Sequence, residues 1–170
     1  MKPSERGFSL IEVLVALLIF TVGLLGMAGL LVVSVKTNHS AYQRTQASFL
    51  AQAMADRMRG NSRAMWSGTY NDSYDGSAGT GGATCTEAAP CGFEDVAARD
   101  KQSFNDGLRQ FLPNPNATVN CVAQAAAPAD TGGRPPFDGL CAIVITWSEQ
   151  GLARETQAPS DQTFAWKFQP

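Results

Sequence analysis

The feature that most constrains this chain is a run of 23 residues without a charged side chain, between Glu12 and Lys36. It belongs to a largely apolar segment, residues 8–35, that reads FSLIEVLVALLIFTVGLLGMAGLLVVSV. At about 1.5 Å per residue, a helix of this length exceeds the roughly 30 Å hydrocarbon core of a bilayer. The hydrophobic region of a secretory signal is shorter, about 7 to 15 residues. We therefore predict a permanent membrane helix over residues 8–35, in contact with the lipid bilayer.

The charges on either side of this helix favour one orientation. Lys2 and Arg6 precede it, and short flanks rich in Lys and Arg tend to stay in the cytoplasm, although Lys36 and Arg44 on the other side weaken the asymmetry. We expect the helix to cross the membrane once, with the C-terminal part outside the cytoplasm. The whole chain has 170 residues and a net charge of −2, so binding to nucleic acid is not predicted.

Glu12 is anomalous, because a carboxylate at the centre of a membrane helix costs about 2.5 to 3.5 kcal/mol and usually has a functional partner. Its position near one end of the segment leaves an alternative, in which the carboxylate stays hydrated among the headgroups. The residues immediately before it favour a functional role.

The run Gly7-Phe8-Ser9-Leu10-Ile11-Glu12-Val13 resembles the processing site of type IV pilins and type II secretion pseudopilins. The resemblance covers the apolar helix, and it implies that a prepilin peptidase cuts after Gly7 and methylates the new amine of Phe8. It also implies assembly in a fibre with other minor and major pilins, through an inner-membrane assembly platform. Glu12 would pair with the Phe8 ammonium, either within one helix or between neighbouring subunits, and the sequence leaves both pairings open.

The rest of the chain predicts a helical stem and an α/β head. Two rows at i, i+4 spacing extend the helix through residues 36–60, with Gly60 as its stop: Ala41, Thr45, Phe49 and Ala53, and Leu50, Met54 and Met58. Residues 68–84 are predicted to be a loop, residues 94–112 a helix, and residues 117–123, 140–147 and 164–168 strands, with long loops at 124–139 and 149–162. We expect an α+β, type IV pilin-like fold. In this fold a long N-terminal helix packs on a small antiparallel sheet of three or four strands.

This organisation divides the chain into four parts: a leader at 1–7, a membrane and assembly helix at 8–35, an amphipathic stem at 36–60, and a periplasmic head at 61–170. Gly23, Gly26 and Gly29 recur every third residue in the helix, which suits a local bend or melted segment as well as it suits close packing.

The four cysteines lie in the predicted extracytoplasmic part, where disulfides are favoured. We predict that Cys85 pairs with Cys91 and Cys121 with Cys141, because short loops close readily and the second pair lies on adjacent predicted strands. Zinc is disfavoured because the spacing lacks C-x2-C pairs, and a calcium loop at 71–76 lacks its bidentate Glu. No metal and no cofactor is predicted.

No catalytic residue is evident, since the only histidine, His39, lies on the stem. The chain is therefore predicted not to be an enzyme. The favoured function is that of a PilV-type minor pilin of the type IV pilus, present in the inner membrane and then in the surface fibre. The alternatives are a GspI-type minor pseudopilin of type II secretion, or a membrane-tethered periplasmic binding module.

Overall fold

The computed structural model describes residues 7–78, 84–127, 135–150 and 159–170. It separates into two compact units, residues 1–39 and residues 40–170. Residues 1–6 of the predicted leader lie outside the described residues, as do the central parts of the two long predicted loops. Helix α1, Leu10–Gly60, is the one helix in the described residues that is long and apolar enough, by length and composition, to cross a membrane.

In the first unit, α1 exposes apolar side chains on all of its faces. The hydroxyls of Thr21 and Thr37 donate within the helix to the carbonyls of Leu18 and Val33, at 2.8 and 2.9 Å. The helix is continuous through its three glycines, so it has no melted turn there. A Cβ added at any of these glycines would have open space around it, so no packing within the chain requires them.

In the second unit, one face of α1 is buried in the core. The buried positions recur every three or four residues, as expected for a helix packed along one side: Gln43, Ala47, Ala51, Met54, Ala55 and Met58. Of the two predicted rows, the one containing Met54 and Met58 is buried, whereas the row from Ala41 to Ala53 is exposed. Three of these six buried residues are alanines.

A short helix α2, Ser62–Trp66, follows α1, and Asn61 caps it by accepting from the Ala64 N–H. The next segment, predicted to be a loop over residues 68–84, contains strand β1, Asp72–Tyr74, so that part of the prediction is wrong. The strand was missed because its three residues show no apolar alternation. It is positioned by the side chain of Asn71, which donates to the carbonyl of Cys121 at 3.1 Å and accepts from its N–H at 2.7 Å.

The sheet is antiparallel with the order β1-β2-β3-β4. Strand β2 is Asn116–Val122, β3 is Leu140–Gln150 and β4 is Pro159–Phe168, so the most apolar predicted strand is central, as expected. Ile143 lies opposite Val119 on one side and Trp166 on the other, which places these side chains on the face that covers α1. The α+β fold expected from the sequence is confirmed.

Strands β3 and β4 are longer than predicted, since the loop was expected at 149–162. The strands continue because their polar residues have partners: Ser148 donates from its N–H to the Pro113 carbonyl and from its hydroxyl to Asp161. Pairing therefore persists beyond the point where apolar alternation ends.

Helix α3, Phe93–Phe111, completes the core. Its start is stabilised by the Asp95 carboxylate, which accepts from the Gly92 N–H at 3.1 Å. Phe104 and Leu108 are buried, and the ring of Phe104 meets that of Tyr74 edge to face at 5.2 Å between centroids. Two disulfides, Cys85–Cys91 and Cys121–Cys141, join the same cysteines that the sequence analysis paired.

Candidate assembly site

The N-terminal end of α1 carries the residues predicted for processing and assembly. Gly7, Phe8 and Ser9 precede the helix and are exposed, and among the described residues nothing beyond the chain neighbours of Gly7 lies within 4 Å of a Cβ built on it. The helix is initiated by the Ser9 carbonyl, which accepts from the N–H of Glu12 at 3.0 Å and of Val13 at 3.3 Å. The Gly7-Phe8 bond thus lies in an accessible, non-helical segment.

Glu12 lies in the first turn of α1, four residues after Phe8. The helix N-terminus favours a negative charge, because its first N–H groups have no partner within the helix. Within the described residues the carboxylate makes no hydrogen bond and no ion pair. Phe8 is 82% exposed. The two residues that the sequence predicted to act together are therefore four positions apart, with Phe8 just before the helix and Glu12 in its first turn, and both are exposed.

A second polar site lies in the head, where α1 meets β3. The Glu149 carboxylate is only 11% exposed, and it accepts from the Ser40 hydroxyl at 2.8 Å and from the Trp147 indole N–H at 3.1 Å. Arg44 adds a longer ion pair at 3.8 Å and also donates to the Gln162 amide oxygen. These contacts hold the start of the buried part of α1 against β3 and β4. Sequence reasoning placed Glu149 in a loop and gave no signal of this role.

A buried polar network holds the segment after α2 against α3. The Tyr70 hydroxyl donates to the Asp100 carboxylate at 2.7 Å, and the Tyr74 hydroxyl donates to the Tyr70 carbonyl at 3.1 Å. Burial raises the pKa of the Tyr70 hydroxyl, and the Asp100 carboxylate beside it adds to the shift. Burial also raises the pKa of Tyr74. Both phenols therefore remain protonated hydrogen-bond donors, which is a structural role rather than a catalytic one.

Two family models match adjoining parts of the chain. The model described as the prokaryotic N-terminal methylation motif matches residues 2–28, and the model described as type IV pilin Tt1218 matches residues 29–102. Together they cover more than half of the chain, including the exposed helix, its Glu12 and the start of the head. The chain belongs to the type IV pilin superfamily. No curated protein and no solved structure matches this pilin.

Membership in the type IV pilin superfamily accounts for the exposed apolar helix. The methylation motif implies processing by a prepilin peptidase and assembly into filaments, and it accords with membrane anchoring through the N-terminal helix. Type IV pilins are structural proteins rather than enzymes, in agreement with the prediction from the sequence.

Proposed function

We propose that this pilin is a minor subunit of a type IV pilus, of the PilV type. It crosses the inner membrane once, with a periplasmic C-terminal head, and then enters the fibre to support pilus assembly, adhesion or motility. Its parts are a leader at 1–7, an assembly helix at 8–35, a stem at 36–60 and a head at 61–170. The partners are the prepilin peptidase, the inner-membrane assembly platform, and other minor and major pilins.

The observation that carries this proposal is the exposed Glu12 in the first turn of an otherwise apolar helical segment, four residues after Phe8. A membrane tether has no use for this group, which makes insertion less favourable. A pilin has a use for it. Cleavage after Gly7 leaves an ammonium at Phe8, and opposite charges in an apolar layer stabilise each other when they are well paired.

The minor-pilin assignment is supported by the position of the disulfides. Major pilins usually enclose a loop near the C-terminus with two cysteines, whereas here 29 residues follow Cys141 without another cysteine. The sequence after Ala16, LLIFTVGLLGMAGL, resembles PilV-type minor pilins and favours the pilus over the secretion machine.

The test compares two machines in the same bacterium. The full-length protein is detected by immunoblot in filaments sheared from wild-type cells, from cells that lack the pilus assembly platform, and from cells that lack the type II secretion platform. Loss from the sheared fraction only in the pilus mutant is the expected result. Loss only in the secretion mutant would assign the protein to the pseudopilins, and absence from every sheared fraction would favour a tethered binding module.

A further inference from the structure

A cleft of about 520 Å³ lies between α1 and α3 in the head unit. The two helices come close at Gly107, where a Cβ would lie 2.5 Å from Leu50 Cδ2, and the cleft opens beside this contact. Its lining includes two arginines, one aspartate, two amides and an aromatic ring: Arg57, Arg99, Asp106, Gln102, Gln110 and Phe111. A smaller cleft beside it is lined by the same two arginines.

The two arginines have weak partners only. Arg57 donates to the carbonyl of Asp100 at 3.4 Å, and Arg99 donates to the Cys85 sulfur at 3.1 Å. Among the described residues, neither guanidinium forms an ion pair with a carboxylate.

The carboxylates of the two clefts already have partners. Asp106, in the larger cleft, pairs with Arg109 at 3.1 Å, and Asp100, in the smaller one, accepts from the Tyr70 hydroxyl at 2.7 Å. The cleft therefore presents two positive charges that the described part of the head does not neutralise.

We propose that this cleft docks an acidic segment from the head of a neighbouring pilin subunit. The inference rests on the proposed function, since it requires the protein to be in a filament. Guanidinium groups bind carboxylates through two parallel hydrogen bonds, which gives such a contact both strength and direction. The glutamine amides offer donors and acceptors to a peptide backbone, while Leu50 and Phe111 offer an apolar surface.

Charge complementarity identifies the occupant as another pilin head. Residues 61–170 carry seven basic and twelve acidic residues, so a copy of this chain, or a pilin of like composition, brings an excess of acidic side chains to its neighbour. The cleft volume falls within the range of about 300 to 1,000 Å³ that is typical of binding sites, which is room for a short segment rather than a single ion.

The experiment places a photo-reactive benzoylphenylalanine at Gln110, an exposed residue of the cleft, in the full-length protein in piliated cells. Irradiation is followed by isolation of sheared pili and by mass spectrometry of the cross-linked peptide. The expected product is a cross-link to a pilin peptide that contains Asp or Glu. In Arg57→Gln/Arg99→Gln its yield falls roughly tenfold, because two charge-assisted contacts are lost.

Lys167→Gln is the matched control, since it removes a positive charge from the opposite face of the sheet. This variant should leave the cross-link unchanged, and intact disulfides on non-reducing gels verify that each variant folds. A cross-link to lipid, to a protein other than a pilin, or to a peptide without acidic residues would overturn the proposal. So would an unchanged yield in the double variant, or the absence of a cross-link from a protein that is present in pili. Absence of the protein itself from pili would instead overturn the proposed function and, with it, this inference.

Discussion

Glu12→Val separates an assembly role from a tethering role. Glu12 lies in the first turn of α1, four residues after Phe8, which precedes the helix. This short separation lets the carboxylate contact the amine of its own mature chain, or that of a neighbour at the same depth. Because it has no other partner in the described residues, its removal disturbs no contact of the head.

Membrane insertion and incorporation into the filament should respond to Glu12→Val in opposite directions. Valine removes a charge that costs about 2.5 to 3.5 kcal/mol at the centre of a bilayer and less near its edge, so insertion persists or improves. In the filament, the Phe8 ammonium loses its partner, and an unpaired buried charge costs about 3 to 5 kcal/mol. Since about 1.4 kcal/mol is a factor of ten, incorporation should fall by roughly 100-fold or more.

The assay measures the protein in membranes and in sheared pili from the same cells. Ser34→Val is the matched control, because it also makes α1 more apolar but retains Glu12. We expect the Glu12→Val protein to stay in the membrane fraction, while the Ser34→Val protein enters pili normally. Entry of Glu12→Val into pili at the wild-type level would refute the pairing argument and leave Glu12 as a tolerated headgroup residue.

Three further predictions concern the stability of the head, measured by thermal or denaturant unfolding of the detergent-solubilised protein. Asn71→Ala leaves the N–H and carbonyl of Cys121 without their side-chain partner and should cost about 1 to 3 kcal/mol of stability. Asn120→Ala, at an exposed position of β2 next to Cys121, should be nearly neutral. Equal losses of stability in the two variants would contradict the role of Asn71. Replacing Cys121 and Cys141 by alanine opens a loop with a sequence separation of 20 and should cost about 3 kcal/mol of stability on the chain-entropy model. An unchanged stability would show that the bridge does not constrain the unfolded chain. The hydrogen bond from Lys101 lowers the pKa of Asp72. The stability that this pair contributes is therefore present above the ordinary pKa of 3.8, and it is lost as the pH falls through the lower pKa of the folded protein. Asp72→Asn should therefore destabilise the head at pH 7 by less than about 1 kcal/mol, because the pair is exposed. The difference in stability from wild type should disappear in acid. A difference that grows in acid would contradict this pH dependence.

The features predicted best are those with a strong local pattern. The apolar run and the i, i+4 row at Met54 and Met58 specify a long helix, and the alternation at Phe164, Trp166 and Phe168 specifies a half-buried strand. Gly60 ends α1 as predicted. In each of these places, the local preference and the final packing agree.

The features missed depend on contacts between residues that are distant in sequence. Strand β1 is held by the side chain of Asn71 on Cys121, fifty residues away. Glu149 lies in a strand because Ser40 and Trp147 provide donors for its carboxylate. Asn105 is buried in α3, where its amide accepts from the Gly76 N–H at 2.9 Å and donates to the Ser77 carbonyl. From the sequence alone, a polar residue is predicted to be exposed or to lie in a loop, because its distant hydrogen-bond partner is not known.

The candidate assembly site shows the opposite case, because its signal is entirely local. Gly7, Phe8 and Glu12 were identified from seven consecutive residues. Their roles in processing and assembly remain predictions, since they depend on a peptidase and on neighbouring subunits.

Processing at Gly7 and entry into the fibre are tested together by mass spectrometry of the N-terminal peptide, taken from the protein in sheared pili. We expect a mature chain that begins at Phe8 with a methylated amine and is recovered from the fibre fraction. Recovery of a chain that still begins with residues 1–7, or of a processed chain that occurs only in the membrane, would contradict it.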